Sequence, residues 1–280
     1  MRDRVLVVAY HNVIPDDVAP AGDLPNHLPL RRFVAQVEAL SATHSIVSLD
    51  DAVKAGPDRA GRPRAVITFD DAYRGAVQYA VPELARRGLP ATIFVAPARL
   101  GDQQFWWDTL ARPDGTGLDP VLRTSALGAL HGEEDAILAE ARRAEWPLAR
   151  MGAVFRSSTL DELTAALGRT TGIVLGSHSW SHANLSQLSD NALAIELSRP
   201  LEWLRARVEP STAWIAYPYG AFDRRVALAA ELAGYSGGLG ISGGWIPRAP
   251  TERMALPRLN IPPGLSQAGF LLRSSGLLCE

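Results

Sequence analysis

Short apolar runs, each followed by a stretch of helical period, recur along these 280 residues and dictate a parallel sheet covered by helices. The first run, Val5-Leu6-Val7-Val8-Ala9-Tyr10, is apolar at every position, as a strand buried on both faces must be. Similar runs stand at residues 46–49, 65–69, 91–96, 173–177, 213–217, 235–241 and 254–261. Seven or eight strands in this rhythm predict an irregular α/β barrel of the (β/α)7–8, TIM-like kind, closed or nearly closed, rather than an open doubly wound sheet.

Between the strands, Phe33, Val34, Val37 and Leu40 recur at helical spacing, and Asp50 is placed to cap another short helix. A helix is expected over residues 73–87, closed by Gly88 and kinked or restarted at Pro82. Thr159-Leu160-Asp161-Glu162 has the form of a capping box and opens a helix that ends near Gly168. Residues 189–208, with Pro200 as an irregularity, and 227–234 read as further helices. Residues 15–29 are polar and proline-rich, a loop over one face, and 56–63 form a turn-rich linker. Residues 105–156 break the rhythm with charge-laced helical sequence, which predicts a helical insertion in one domain spanning residues 1–280.

With 47% hydrophobic residues the chain can build one large core. Lys and Arg number 28 against 30 Asp and Glu, a net charge of −2, so neither a nucleic-acid partner nor a polybasic membrane patch is expected. Cys279 is the only cysteine, which excludes an internal disulfide and a cysteine metal site. The run at residues 5–10 is too short for a signal-peptide core, and no run reaches membrane-spanning length, so a cytoplasmic protein without an integral membrane segment is expected.

Two of the apolar runs end in residues able to hold a metal ion and move a proton. Val66-Ile67-Thr68-Phe69 exits into Asp70-Asp71, and Ile173-Val174-Leu175-Gly176-Ser177 exits into His178-Ser179-Trp180-Ser181-His182. Strand exits in a β/α barrel share one cleft, so the two motifs are expected to meet. His178 and His182 are four apart, a spacing that on a helical turn puts both imidazoles on one side. Each motif alone has a plainer reading: Asp71 as a helix cap, the histidines as ordinary hydrogen-bonded groups. Together they point to a metal-assisted hydrolase.

The pair of motifs resembles the polysaccharide deacetylase family, whose catalytic unit is the NodB homology domain (carbohydrate esterase family 4). Thr68-Phe69-Asp70-Asp71 is similar to its first motif, His178-Ser179-Trp180-Ser181-His182 to its second, and Ala216-Tyr217-Pro218-Tyr219-Gly220 to its third. Tyr10-His11-Asn12-Val13 resembles the opening of a divergent subgroup, and the likeness runs over about residues 5–261. It implies that Asp70 is the catalytic base, and that Asp71, His178 and His182 hold a divalent metal. Zn²⁺ suits these ligand types best; Co²⁺, Ni²⁺ or Mn²⁺ fit too. The metal and the backbone N–H of Tyr219 would then stabilise the oxyanion of an acetamide under attack, releasing acetate and an amine.

Two departures from the family pattern stand out. The arginine that many members carry in the third motif is replaced by Ala216, and Arg258 is expected to supply that charge from a neighbouring strand. The late histidine that protonates the leaving amine is absent from Leu259-Asn260-Ile261, which leaves His11 as substitute general acid or, equally, as a buried structural histidine. Trp180 and Tyr219 are expected to line the pocket, with Trp107 and Asp108, beside Trp106, as a sugar-stacking wall with a polar hook or else plain core. Trp245 is expected to pack, and His27, His44 and His131 to be solvated. The expected substrate is an N-acetylated, sugar-containing molecule: a glycan precursor, a nucleotide- or lipid-linked sugar, or a glycosylated natural product. The alternatives are another amide hydrolase of the family, such as a deformylase, and a catalytically silent carbohydrate-binding relative.

Overall fold

The computed structural model describes residues 4–54, 61–247 and 249–276, so Cys279 and most of the expected linker at 56–63 lie outside the described residues. In chain order, β1 (Arg4–Tyr10), β2 (Asn12–Ile14) and β3 (His27–Pro29) lead into helix α1 (Leu30–Thr43). There follow β4 (Ser45–Ile46), α2 (Leu49–Ala52), β5 (Arg64–Phe69), a π-helical turn (Ala76–Ala80), α3 (Val81–Arg86) and β6 (Ala91–Val95). Helices α4 (Trp106–Thr109), α5 (Pro120–Gly128) and α6 (Glu134–Arg143) occupy the expected helical excursion. The alternation then resumes with α7 (Leu160–Gly168), β7 (Ile173–Ser177), α8 (Asp190–Arg207), β8 (Ser211–Ala216), α9 (Arg224–Ala233) and β9 (Gly237–Leu239). β10 (Trp245–Pro247), β11 (Leu259–Asn260) and α10 (Gln267–Ser274) complete the described chain.

The sheet is the irregular (β/α) barrel that the strand rhythm predicts. Its parallel staves run β1-β5-β6-β7-β8-β9. The chain after β10 closes the gap between the two ends. Leu256 exchanges backbone hydrogen bonds with Gly238 and Gly240 beside β9, and β11 pairs in parallel with Val8 and Ala9 of β1. Residue 258 therefore sits in the seam where the barrel shuts. β10 pairs antiparallel with the first half of β1. Val5, Leu6, Val7, Val8, Ala65, Val66 and Ile67 are all essentially inaccessible to solvent, as a sheet covered on both faces requires.

Local differences from the sequence reading have local causes. Ser48, not Asp50, caps α2 by accepting the Asp51 N–H at 3.2 Å. Asp50, one residue into that helix, accepts the Trp214 indole N–H instead at 2.8 Å. Pro82 lacks the N–H that its preceding turn needs, and the chain answers with a π-helical turn before α3. The strand expected over 254–261 is reduced to β11 because the seam pairs first with β9 and then with β1. Thr159 and Glu162 form the capping box that their spacing predicts. Trp245 packs against the main core, also as expected. Among the described residues no helix is long and apolar enough to cross a membrane.

Candidate active site

Asp70 and Asp71 leave β5 in different directions because the backbone turns sharply between them and the helix. Asp71 and Ala72 both adopt the left-handed conformation (φ 69° and 50°), which side-chain-bearing residues enter only at a cost of about 1–3 kcal/mol each. Asp71 is consequently not a helix cap. Its Oδ1 lies 3.1 Å from His182 Nε2 and 3.5 Å from His178 Nε2.

The two histidines converge through a loop, not the helical turn their spacing suggests: Ser179 and His182 have φ of 61° and 68°. His178 Nδ1 lies 2.7 Å from the Ala216 carbonyl, an acceptor only, so Nδ1 carries the proton and Nε2 turns its lone pair toward Asp71. Glu196 of α8 latches the loop, accepting the backbone N–H of Trp180 and of Ser181 (both 2.9 Å) and the Ser181 hydroxyl (2.7 Å). His182 is held by ring packing against Trp107 and Tyr219.

Asp71, His178 and His182 are buried, and their ligand atoms lie within 4.8 Å of one another. Ligands of a tetrahedral Zn²⁺ at 2.0–2.1 Å stand about 3.3 Å apart, close to the two separations above. Asp71 Oδ1, moreover, is buried without a hydrogen-bond partner. A carboxylate oxygen so placed between two imidazoles fits a divalent cation. Burial opposes the charge on Asp71, but the neighbouring His178 and His182 imidazoles overcome it and hold the carboxyl below its ordinary range. His178 is pushed down by burial and drawn up further by Asp70 and Asp71; in His182 burial prevails.

Asp70 is clamped. Arg258, fully buried at the barrel seam, donates from Nη1 to Asp70 Oδ1 and from Nη2 to Oδ2, both at 2.7 Å. Its Nε donates to the Gly240 carbonyl at 2.9 Å and Nη1 also to Thr68 Oγ1 at 3.1 Å, which fixes the plane of the fork. Burial pushes Asp70 up, but the Arg258 charge, with His178 and His11, outweighs it and keeps the carboxyl below its usual range. His11 Nε2 lies 4.0 Å from Asp70 Oδ2.

These groups open onto one cavity of about 360 Å³, within the range of small-molecule sites. His11, Asp70, Asp71, His178, His182, Trp107 and Tyr219 line it, together with Asp23, Asn26, Arg123 and Asn260. The last four were missed by sequence reasoning: Asp23 and Asn26 lie in the proline-rich stretch and Arg123 on the helical insertion, where no period or motif marks them. Arg123 donates to Asp23 and joins those two segments over the cavity.

Four placements expected from the sequence change. Trp180 is not among the cavity-lining residues; the loop's turn at Ser179 sends its ring under the Arg199 guanidinium, 3.7 Å away. Asp108 is no exposed hook: fully buried, it accepts from Tyr73 Oη (2.6 Å), Asp23 N (2.8 Å) and His27 Nε2 (3.0 Å). His27 is buried with it, and His44 is buried against Trp245, whereas His131 is exposed. Trp106 is core; its indole N–H donates to Tyr219 Oη at 3.0 Å.

A family model described as polysaccharide deacetylase matches residues 58–238. No curated protein matches the chain by sequence. Among solved structures, the Streptococcus pyogenes deacetylase PplD in complex with acetate superposes with a TM-score of 0.67 at 17% identity, over 98% of this chain and 99% of that one. IcaB from Ammonifex degensii gives 0.66 at 15% identity, over 97% and 96%. A de-N-acetylase from Aggregatibacter actinomycetemcomitans gives 0.66 at 15%, over 97% and 100%. At these identities the likeness is one of fold.

Proposed function

Since this chain belongs to the polysaccharide deacetylase family, we propose that it is a metal-dependent amide hydrolase removing an N-acetyl group from an aminosugar-containing substrate. The products are acetate and a free amine. The observation that carries the reading is the meeting, in one cavity, of a clamped carboxylate and a three-ligand set: Asp70 held by Arg258 beside Asp71, His178 and His182.

Asp71, His178 and His182 would hold the cation, Zn²⁺ by ligand type. When bound there it supplies Lewis acidity, polarising the amide carbonyl and acidifying water. Asp70 is the base that takes the proton from the attacking water. The Arg258 fork keeps it ionised although buried, and occupies one lone pair on each oxygen while leaving others for the proton. The Tyr219 backbone, left-handed at φ 59°, offers its N–H to the charge growing on the carbonyl oxygen. His11, on the same wall as Asp70, gives the proton that the departing nitrogen needs. Trp107 supplies an apolar ring to the sugar face.

The test is bound metal and acetate release on a panel of N-acetylated sugars. Asp70→Asn is expected to keep metal and lose turnover by about 10²–10⁴-fold, the usual worth of a general base, and His178→Ala to lose both. In His11→Ala the alkaline limb of the pH–rate profile flattens. Full turnover in Asp70→Asn overturns the mechanism.

A further inference from the structure

A second concavity, of about 800 Å³, opens next to the catalytic one. One wall comes from the proline-rich stretch, with Val18, Pro20 and Leu24, and the other from Pro262 and Pro263 beyond β11. Pro25 lines both cavities. A single 3-10 turn, Leu24–Asn26, is thus the partition: Leu24 belongs to the groove, Asn26 to the catalytic cavity, and Pro25 to each.

The groove is apolar and preformed. Proline rings fix their own φ, so these walls need little ordering when a ligand arrives. Of the four charged residues at the rim, Asp16, Arg31 and Arg32 are engaged within the protein, and Asp17 is an exposed carboxylate that itself disfavours an anion. The Arg31 backbone N–H donates to Asp16 Oδ1 at 3.1 Å, its guanidinium lies 3.9 Å from the same oxygen, and Arg32 donates to the Pro263 carbonyl. With both rim arginines occupied, the lining favours an uncharged hydrocarbon over an anion.

We infer that this groove is a subsite for an apolar aglycone, so that the substrate is an N-acetylated sugar bearing a hydrocarbon tail. The sugar sits in the catalytic cavity and the tail crosses Pro25 into the groove. The inference takes the sugar end from the proposed deacetylase reading, while the tail site stands on the groove's own lining and on the Pro25 wall it shares with that cavity.

Octyl and methyl β-glycosides of N-acetylglucosamine separate the two. Binding is measured by calorimetry on the full chain carrying Asp70→Asn, in which both glycosides persist, with the octyl form below its micelle-forming concentration. Acetate release is measured on the unmodified protein. The octyl glycoside is expected to bind at least about tenfold tighter, the worth of roughly two buried methylenes. Leu24→Glu, and separately Pro20→Glu at an exposed position that leaves the fold intact, are expected to bring the two affinities to within about twofold. Equal affinities in the parent protein, or a preference that survives both substitutions, overturn the subsite. An octyl preference without acetate release from either glycoside supports the groove and overturns the deacetylase reading.

Discussion

Arg258 and Asp70 are 188 positions apart in sequence and share two 2.7 Å hydrogen bonds. Removing one partner of a buried ion pair leaves an uncompensated charge, and this one sits at the centre of the site. Arg258→Met is expected to destabilise the fold by about 3–5 kcal/mol in chemical denaturation. Arg258→Lys keeps the charge but loses the fork, so a smaller loss of stability is expected, with kcat reduced by about tenfold or more and metal content unchanged. At this scale Asp70, Asp71, His178 and His182 were legible in the sequence because strand exits in a β/α chain face one cleft. Asp108, His27 and His44 were not, because a polar side chain's partners come from distant segments: His27 and Asp108 stand 81 positions apart, yet lie 3.0 Å from each other.

Two elements carry predictions of their own. α8 latches the histidine loop through Glu196, whose carboxylate accepts two backbone N–H groups and a hydroxyl. Glu196→Ala is expected to weaken metal affinity by about 10–100-fold, the usual effect of losing an outer-shell support, measured by competition with a chromophoric chelator. On α6, burial pushes Glu134 up to about 7 despite Arg99 at 3.4 Å. An unfolded glutamate releases its proton near pH 4.3, so from there to about 7 the fold holds a proton that the unfolded chain has lost, and stability falls as pH rises. Glu134→Gln is therefore expected to match the parent protein near pH 4.5 and to melt higher at pH 8.5, a gain of about 3 kcal/mol. Helix and strand order was readable from period, caps and glycines. β10 and the β2–β3 pair were not, since these three-residue strands, unlike β9, lie in no longer apolar run and exist only by pairing with a partner.

Over the whole molecule, the candidate metal ligands come from two strand exits 107 positions apart, Asp71 after β5 and His178 after β7, with β6 between them in the sheet. A cation held there would tie the barrel together. Chelation is expected to lower stability by about 4 kcal/mol when free metal had stood at a thousand times its Kd. A thermal melt with and without chelator reads the shift, and Asp71→Ala abolishes it. The insertion acts at the same scale, because α5 brings Arg123 and Leu127 over the cavity against the proline-rich stretch and so bounds what can enter.

By itself the sequence determined the β/α rhythm, the two strand exits and the residues in them, because burial on both faces forces apolar runs and chemistry begins where those runs stop. The tertiary structure alone decided how the barrel shuts, and with it that Arg258 in the seam clamps Asp70. It also decided that a proline turn divides the catalytic cavity from an apolar groove. Closure and partition depend on bringing together segments from opposite ends of the chain, and no local pattern encodes which distant backbone a seam will meet.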